Sequence, residues 1–255
     1  MKPIKILVGF PSYRTVEALA VQTLVHEAYR TAKKRPDVEL IFSWRVGFPV
    51  AGCVHCYNDT QKYGDARNFF AELALKHDAT HIFMMDSDMS YTGEDMLLRL
   101  LDADRDIVAP LFMRRTEPFD ILAMRTASPG KYASITVKEE RSGKIVEIDA
   151  TGFGAVLIKT ALLRDMKFPY FHWETFKGAH LPEDLNFCRK VKRAGGRIFV
   201  DTSIHLDHIG EHRYRPEDAI DIQEMREDRY GTGPELNQQD GDLVAQSCES
   251  DRGFK

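Results

Sequence analysis

The residues best placed to do chemistry in this chain are Asp86 and Asp88, which with Ser87 between them close the apolar run Ile82, Phe83, Met84, Met85. A short apolar run that ends in polar residues reads as a buried strand. In an open α/β sheet, ligands bind outside the carboxyl ends of the strands, so the two carboxylates leave the sheet facing a crevice. Two hard oxygen donors around one small residue suit Mg²⁺ or Mn²⁺, which take one or two protein carboxylates and complete their shell with water and substrate phosphates. Asp-Ser-Asp is also an ordinary capping sequence. Position favours the metal, because Thr92, Gly93, Glu94 and Asp95 follow as a capping-box-like helix start.

Other residue types gather in the same style. Glu183 and Asp184 follow Pro182 at a helix start, where acids complement the dipole. His208 stands close to His205 and Asp207, Arg67 and Asn68 lie near another helix start, and Pro11, Ser12 and Tyr13 leave the first strand. Phe171, His172 and Trp173 offer rings that stack on a sugar or a base, and Trp44 is either a base platform or core. Arg114, Arg115 and the basic run from Lys190 to Arg197 are phosphate contacts or solvated faces. Cys53, His55 and Cys56 form a cluster that could ligate zinc, without a second half at finger spacing.

These residues must be positioned by alternating strands and helices. Ile4 to Gly9 reads as a strand, a helix runs from about Val16 to Lys34, and Val38 to Trp44 gives a second strand. A helix from Asp65 to His77 leads into the strand that ends at Asp86; Met96 to Leu101 and Ile107 to Phe112 repeat the alternation. This predicts a mainly parallel sheet covered by helices. Later, Ile135 to Val137 and Ile145 to Ile148 read as a hairpin, Arg197 to Val200 as a strand, and Asp201 to Gly210 as a polar loop. A length of 255 residues fits one domain over 1–231, with a first half to 112, a second from 113, and a polar tail over 232–255.

A net charge of −4 gives no global attraction to nucleic acid or to an anionic membrane. No apolar run is long enough to cross a bilayer, the first residues lack the zones of a signal peptide, and four cysteines are too few for a disulfide scaffold. The expected location is therefore cytoplasmic.

Taken in order, G-F-P-S-Y, A-R-N, D-S-D, T-G-F-G-A-V-L-I, E-D-L-N-F-C-R-K and D-H-I-G make the chain resemble a GT-A-fold glycosyltransferase of the family 2 type found in bacteria and phages, over roughly residues 4 to 212. The resemblance implies a Rossmann-like, mainly parallel sheet flanked by helices, with a smaller antiparallel region on the acceptor side. It implies Mn²⁺ or Mg²⁺ held by Asp86, Asp88 and His208, with His205 as the fallback. It implies substrate contacts from Pro11, Ser12, Tyr13, Arg67, Asn68, Asp86, Gly152 and Trp173, and an inverting reaction with Asp184 as base beside Glu183. The donor would be a nucleoside-diphosphate sugar, UDP-linked by family habit. Ser43, Trp44, Arg45 lack the acid that many uridine users carry there, which leaves a GDP-sugar open. The acceptor would be a saccharide or a hydroxymethylated base in phage-type DNA, and a phage-encoded chain would act in the host cytoplasm. A sugar-nucleotide nucleotidyltransferase and a non-catalytic nucleotide- or carbohydrate-binding module are the alternatives.

Overall fold

The computed structural model describes residues 3–12, 16–46, 61–115, 119–210 and 213–216. Its first half runs β1 (Ile4–Ser12), α1 (Ala18–Lys34), β2 (Val38–Val46), α2 (Gln61–Lys76), β3 (His81–Met85), β4 (Met89–Ser90), α3 (Met96–Asp102) and β5 (Ile107–Leu111). There follow β6 (Ala123–Ser128), β7 (Lys131–Ser134), α4 (Val137–Glu140), β8 (Ile145–Ile148), β9 (Ala150–Thr151), β10 (Ala155–Lys159) and α5 (Ala161–Arg164). The last elements are β11 (Glu174–Phe176), β12 (Ala179–Leu181), α6 (Glu183–Arg193), β13 (Ile198–His205), β14 (Asp207–Ile209) and β15 (Arg213–Tyr214).

Seven strands make the central sheet in the order β2-β1-β3-β10-β5-β13-β8. β1, β2, β3, β5 and β13 run in one direction, whereas β10 and β8 oppose their neighbours. The fold is thus mixed α/β with a mostly parallel, Rossmann-like sheet. β1 has β2 on one side and β3 on the other, so the chain reverses its winding there and a crevice opens at their carboxyl ends.

Because side chains alternate along a strand, each central strand feeds two cores. Leu7, Ile82, Met84, Val156 and Ile158 pack with Phe70 and Ala74 of α2 and Phe187 and Val191 of α6. Ile6, Val8, Phe83, Met85 and Leu157 pack on the other face with Ala20 of α1 and Met96, Leu97 and Leu100 of α3. A Cβ on Gly9 would lie 2.8 Å from the Phe70 ring, so the missing side chain is what lets α2 lie against β1. Pro110 does not interrupt β5: pairing with β10 ends at Val108, leaving only β13 as partner beyond it. No helix among the described residues is long and apolar enough to cross a membrane.

Several sequence expectations are corrected. Val137 begins α4 rather than belonging to a hairpin strand, because Thr136 and Glu139 form a full capping box; Ile145–Ile148 pairs instead with β13. The antiparallel hairpin of this region is β6 with β7. The polar loop expected over 201–210 is mostly strand, in β13 and β14. α3 is not capped by Thr92 or Asp95; its Leu97 N–H donates to Glu27 Oε2 of α1 at 2.8 Å. The buried line of α1 is Ala20, Thr23, Glu27 and Thr31. The apolar face of α6 centres on Phe187, Cys188 and Val191.

Glu140 is 1% exposed and neither carboxylate oxygen has a hydrogen-bond partner. Burial pushes its carboxyl up to about 7 from 4.5. Between those two values the folded chain holds a proton that the unfolded chain has lost, so stability falls as pH rises through that window and then levels off. Glu140→Gln removes the effect. It should raise stability by on the order of 2 kcal/mol above neutrality and leave it nearly unchanged near pH 4, as read from urea melts across pH.

Candidate functional site

A cavity of about 200 Å³ opens at the ends of β1 and β3, lined by Pro11, Asp86, Ser87, Asp88, Arg115 and His208. The acidic turn that floors it is fixed by backbone bonds from several elements. Asp86 N–H donates to Gly154 O at 2.8 Å and Met89 N–H to Asp86 O at 3.2 Å. Ser87 O accepts from Glu17 N–H at 2.9 Å and Asp88 O from Ile209 N–H at 2.7 Å. Gly154 is required here: a Cβ would meet Phe112 at 2.8 Å and Met89 Sδ at 3.0 Å, pushing β10 off the turn.

Behind the turn lies Arg67, 3% exposed, in the second turn of α2. Its Nη1 and Nη2 donate to the two oxygens of Asp86 at 3.1 and 3.2 Å, and its Nε is 3.6 Å from Glu183 Oε1 without a hydrogen bond. A bidentate pair of this kind fixes both partners in one plane. Asp184 adds its charge to the same guanidinium. One cation therefore serves three carboxylates from α2's neighbours β3 and α6. Burial pushes Asp86 up to about 6 even with Arg67 opposing the shift. Burial, then the charge of Asp184, pushes Glu183 up to about 7. Asp184 is also raised by burial, although Arg67 and the Leu185 and Phe153 N–H groups act to lower it. For Arg67 burial acts downward, and Asp86 with Glu183 outweighs it, so the guanidinium stays charged.

On the solvent side, Asp88 Oδ2 lies 2.8 Å from Arg115 Nη1 and 3.4 Å from His208 Nε2. His208 is brought there by β14, which pairs with β4 directly after Asp88. Its Nδ1 sits 2.9 Å from Met113 O, and a carbonyl only accepts, so Nδ1 carries an N–H and Nε2 faces the carboxylate. Nε2 and a carboxylate oxygen so placed hold a proton or a metal ion between them. Burial acts against the Asp88 charge, but His208 and Arg115 outweigh it and hold the carboxyl below its usual range.

The donor set Asp88 and His208 thus suits a hard divalent cation whose other positions come from water and diphosphate. Asp86 is turned to Arg67, and among the described residues no three His, Cys, Asp or Glu side chains converge as a metal cage. His205 is elsewhere, with Nε2 2.9 Å from Thr202 O.

The remaining candidates fall into place as follows. Pro11 lines the cavity, while Ser12 is buried and accepts from Trp44 Nε1 at 2.8 Å. Trp44 is 61% exposed, which removes it from the core. Asn68 is buried and bonds both backbone groups of Phe171, at 2.6 and 2.9 Å, tying α2 to the aromatic loop before α6. Gly152 is packed against Leu122 and Phe112. Trp173 is half-buried and its Nε1 has no hydrogen-bond partner. Tyr13, the Cys53, His55, Cys56 cluster and residues 232–255 lie outside the described residues. Sequence reasoning missed Arg67 as a shared counter-ion and Arg115 as the partner of Asp88; only their charge and their nearness to loops signalled either.

No family model matches the chain. Over 154 residues, 57% of its length, it is 26% identical to procollagen-lysine,2-oxoglutarate 5-dioxygenase 1 of Pongo abelii, and 25% identical to that of Rattus norvegicus; the match spans 20% of the length of each. Among solved structures, A197 from STIV is similar over 84% of this chain and 91% of its own, with 18% identity and a TM-score of 0.52, which shows a shared fold. A glycosyltransferase involved in the glycosylation of the major capsid of PBCV-1 aligns over 78% of the chain and 81% of its own, at 9% identity and a TM-score of 0.35. HddC from Yersinia pseudotuberculosis, complexed with GMP-PN, aligns over 88% and 99%, at 14% and 0.38.

Arg67→Met leaves Asp86, Glu183 and Asp184 without their common counter-ion. Stability should drop by about 3 kcal/mol or more near pH 8, where those groups are ionised, and by clearly less near pH 5.5, where they take up protons. Thermal melts of both proteins at the two pH values measure this.

Proposed function

We propose that the protein is a metal-dependent glycosyltransferase, moving a sugar from a nucleoside-diphosphate donor to an acceptor hydroxyl with inversion at the anomeric carbon. One observation carries the reading: Asp88 and His208 line a crevice at the ends of β1 and β3, and Asp86 of the same acidic turn is tied through buried Arg67 to the acid pair Glu183 and Asp184, both of raised pKa. We read this as a cation-seeking set linked through one guanidinium to a proton acceptor. Asp88 and His208 would hold Mn²⁺ or Mg²⁺, which when bound offsets the charge that grows on the diphosphate as the anomeric C–O bond breaks. Asp86, neutralised by Arg67, is left to meet the ribose or a metal-bound water. Arg115 leaves Asp88 to the cation and turns to the diphosphate.

The acceptor oxygen attacks the anomeric carbon, the bond to the diphosphate breaks, and the acceptor proton passes to a carboxylate. Asp184 is that base. Its place at a helix start would weaken it, but burial raises its pKa and makes it the better acceptor. Pro11 and Ser12 face the donor base, with UDP favoured and GDP open. The orphaned Trp173 N–H is a donor for an acceptor saccharide or a hydroxymethylated DNA base. We place the reaction in the cytoplasm, the host's if the chain is phage-encoded.

A nucleotidyltransferase would want a glycine-rich, arginine-bearing loop after β1, and Gly9 to Arg14 is a poor version of it. The dioxygenase named among the relatives would want two histidines and a carboxylate facing one iron. Among the described residues no such trio converges. A binding-only module predicts no turnover and is separated by assay.

With Mn²⁺ and a panel of UDP- and GDP-sugars, the protein should slowly release nucleoside diphosphate, and Asp88→Ala should lower that rate at least about 100-fold. Asp184→Asn should cut transfer by about 10²–10⁴ while the donor still raises the melting temperature. The rate should climb with pH as Asp184, whose carboxyl burial raises above the usual carboxylate range, loses its proton. Intact transfer in Asp184→Asn would point to a retaining, front-face reaction. Silence across the panel, with no donor raising the melting temperature, would overturn the assignment.

A further inference from the structure

β2 is an edge of the central sheet, paired among the described residues only with β1. The opposite edge, β8, is short, and its Glu147 is held by Arg197 at 2.6 Å, the kind of charged blunting that keeps an edge from pairing. β2 is more than twice as long, and its two charged residues stand toward its ends. It is nine residues long, Val-Glu-Leu-Ile-Phe-Ser-Trp-Arg-Val, with no lysine and no proline.

Beside Glu39, its exposed side chains are the aromatic Phe42 and Trp44. Val38 and Leu40 pack in the core beneath α1, and by alternation Phe42 and Trp44 continue that row, yet they are 56% and 61% exposed. α1 extends the patch. One flank of the helix carries Arg30 and Lys34, which pair with Glu94 and Asp95. The other flank, toward β2, carries Val21 and Val25, 39% and 59% exposed. A trapped aromatic and aliphatic surface beside an open strand edge calls for a partner strand.

We propose that this partner is a second copy of the chain, with the two β2 strands pairing antiparallel about Phe42 to make one continuous sheet across a twofold axis. The strand is self-complementary in that register. Phe42 is its midpoint, so centring there gives full overlap, and the same register sets Glu39 opposite Arg45 of the second copy, twice. Leu40 then meets Trp44, Val38 meets Val46, Phe42 meets itself and Ile41 meets Ser43, so no pair sets like charges face to face. Centring on Glu39 or on Arg45 would instead stack like charges and shorten the overlap. Both charged side chains are already set for this. Glu39 lies 3.3 Å from Lys5 on β1, and the Arg45 guanidinium rests 4.4 Å over the Phe69 ring of α2, so the row Lys5, Glu39, Arg45 alternates in sign across the joint. A twofold interface uses the same patch on both copies, which only a self-complementary strand satisfies.

Sedimentation velocity of the full chain over a micromolar concentration series should show a monomer–dimer equilibrium. Glu39→Arg and Arg45→Glu should each weaken the dimer about tenfold or more, because each sets two like-charge pairs face to face. A mixture of the two variants should then associate as a 1:1 heterodimer, since every pair in it is again opposite. Phe42→Lys and Phe42→Glu, apart and mixed, repeat the logic at the axis should either of the first pair lose its far-UV circular dichroism. A chain that stays monomeric throughout, a dimer indifferent to both reversals, or a mixture no tighter than its components would each overturn the proposal. Association with a different protein through this edge, with no self-association, would overturn it as well.

Discussion

A single buried guanidinium organises the functional end of this molecule. Arg67 reaches Asp86 with both terminal nitrogens and stands 3.6 Å from Glu183, so the residue after β3 and the start of α6 are held by one charge. Without it, three carboxylates would share a site from which water is largely excluded, and the electrostatic cost would favour either protonation or separation of the elements. With it, the balance remains short of positive charge. Asp86 and Glu183 answer by moving toward neutral pKa values. A site in this state takes up protons readily, and its acids sit where a small change of surroundings changes their protonation.

The backbone does the rest of the positioning. The acidic turn is bonded to β10 through Gly154, to the start of α1 through Glu17, and to β14 through Ile209. These come from distant parts of the chain, so the turn is rigid only once the sheet has formed. Asn68, the next residue of α2, repeats the principle by capturing both backbone groups of Phe171. The aromatic loop that precedes the acid pair is thereby fixed to the same helix that supplies the counter-ion. Site and scaffold share α2, which explains why Gly9 leaves room for Phe70: any retreat of this helix from β1 would carry Arg67 away from Asp86.

Much of this was readable before the fold was seen, because the signals were local. An apolar run ending in two acids, helical spacing before it, and the alternation of strands with helices each depend on neighbours in sequence, and β1, α1, β2, α2 and β3 stand close to where that spacing puts them. The hairpin expected at 135–148 does not form, and its correction is also local: Thr136 and Glu139 spell a capping box, which overrides the strand preference of the β-branched run Ile135, Thr136, Val137. What the sequence could not disclose is partnership. Arg67 and Asp86 are 19 positions apart, and Asp88 and Arg115 are 27 apart. Nothing in the composition of either segment says which acid takes which arginine. The exposure of Trp44 was equally hidden, since a tryptophan at the end of a strand normally reads as core, and only the sheet order reveals that β2 is an edge.

The two acids of the turn are consequently unlike, despite their common origin. Asp86 faces inward to a guanidinium that cannot leave, and burial lifts its pKa. Asp88 faces a histidine fixed by Met113 and an arginine that is 46% exposed and free to exchange, and its pKa is lowered. A ligand arriving from solvent can displace Arg115 at little cost, because an exposed ion pair contributes at most about 1 kcal/mol. Displacing Arg67 would strand a buried charge and cost several times as much. The division follows from depth alone: the inner acid is committed to structure, and the outer one keeps an exchangeable partner. Of the two, Asp88 is the group on which a cation can act.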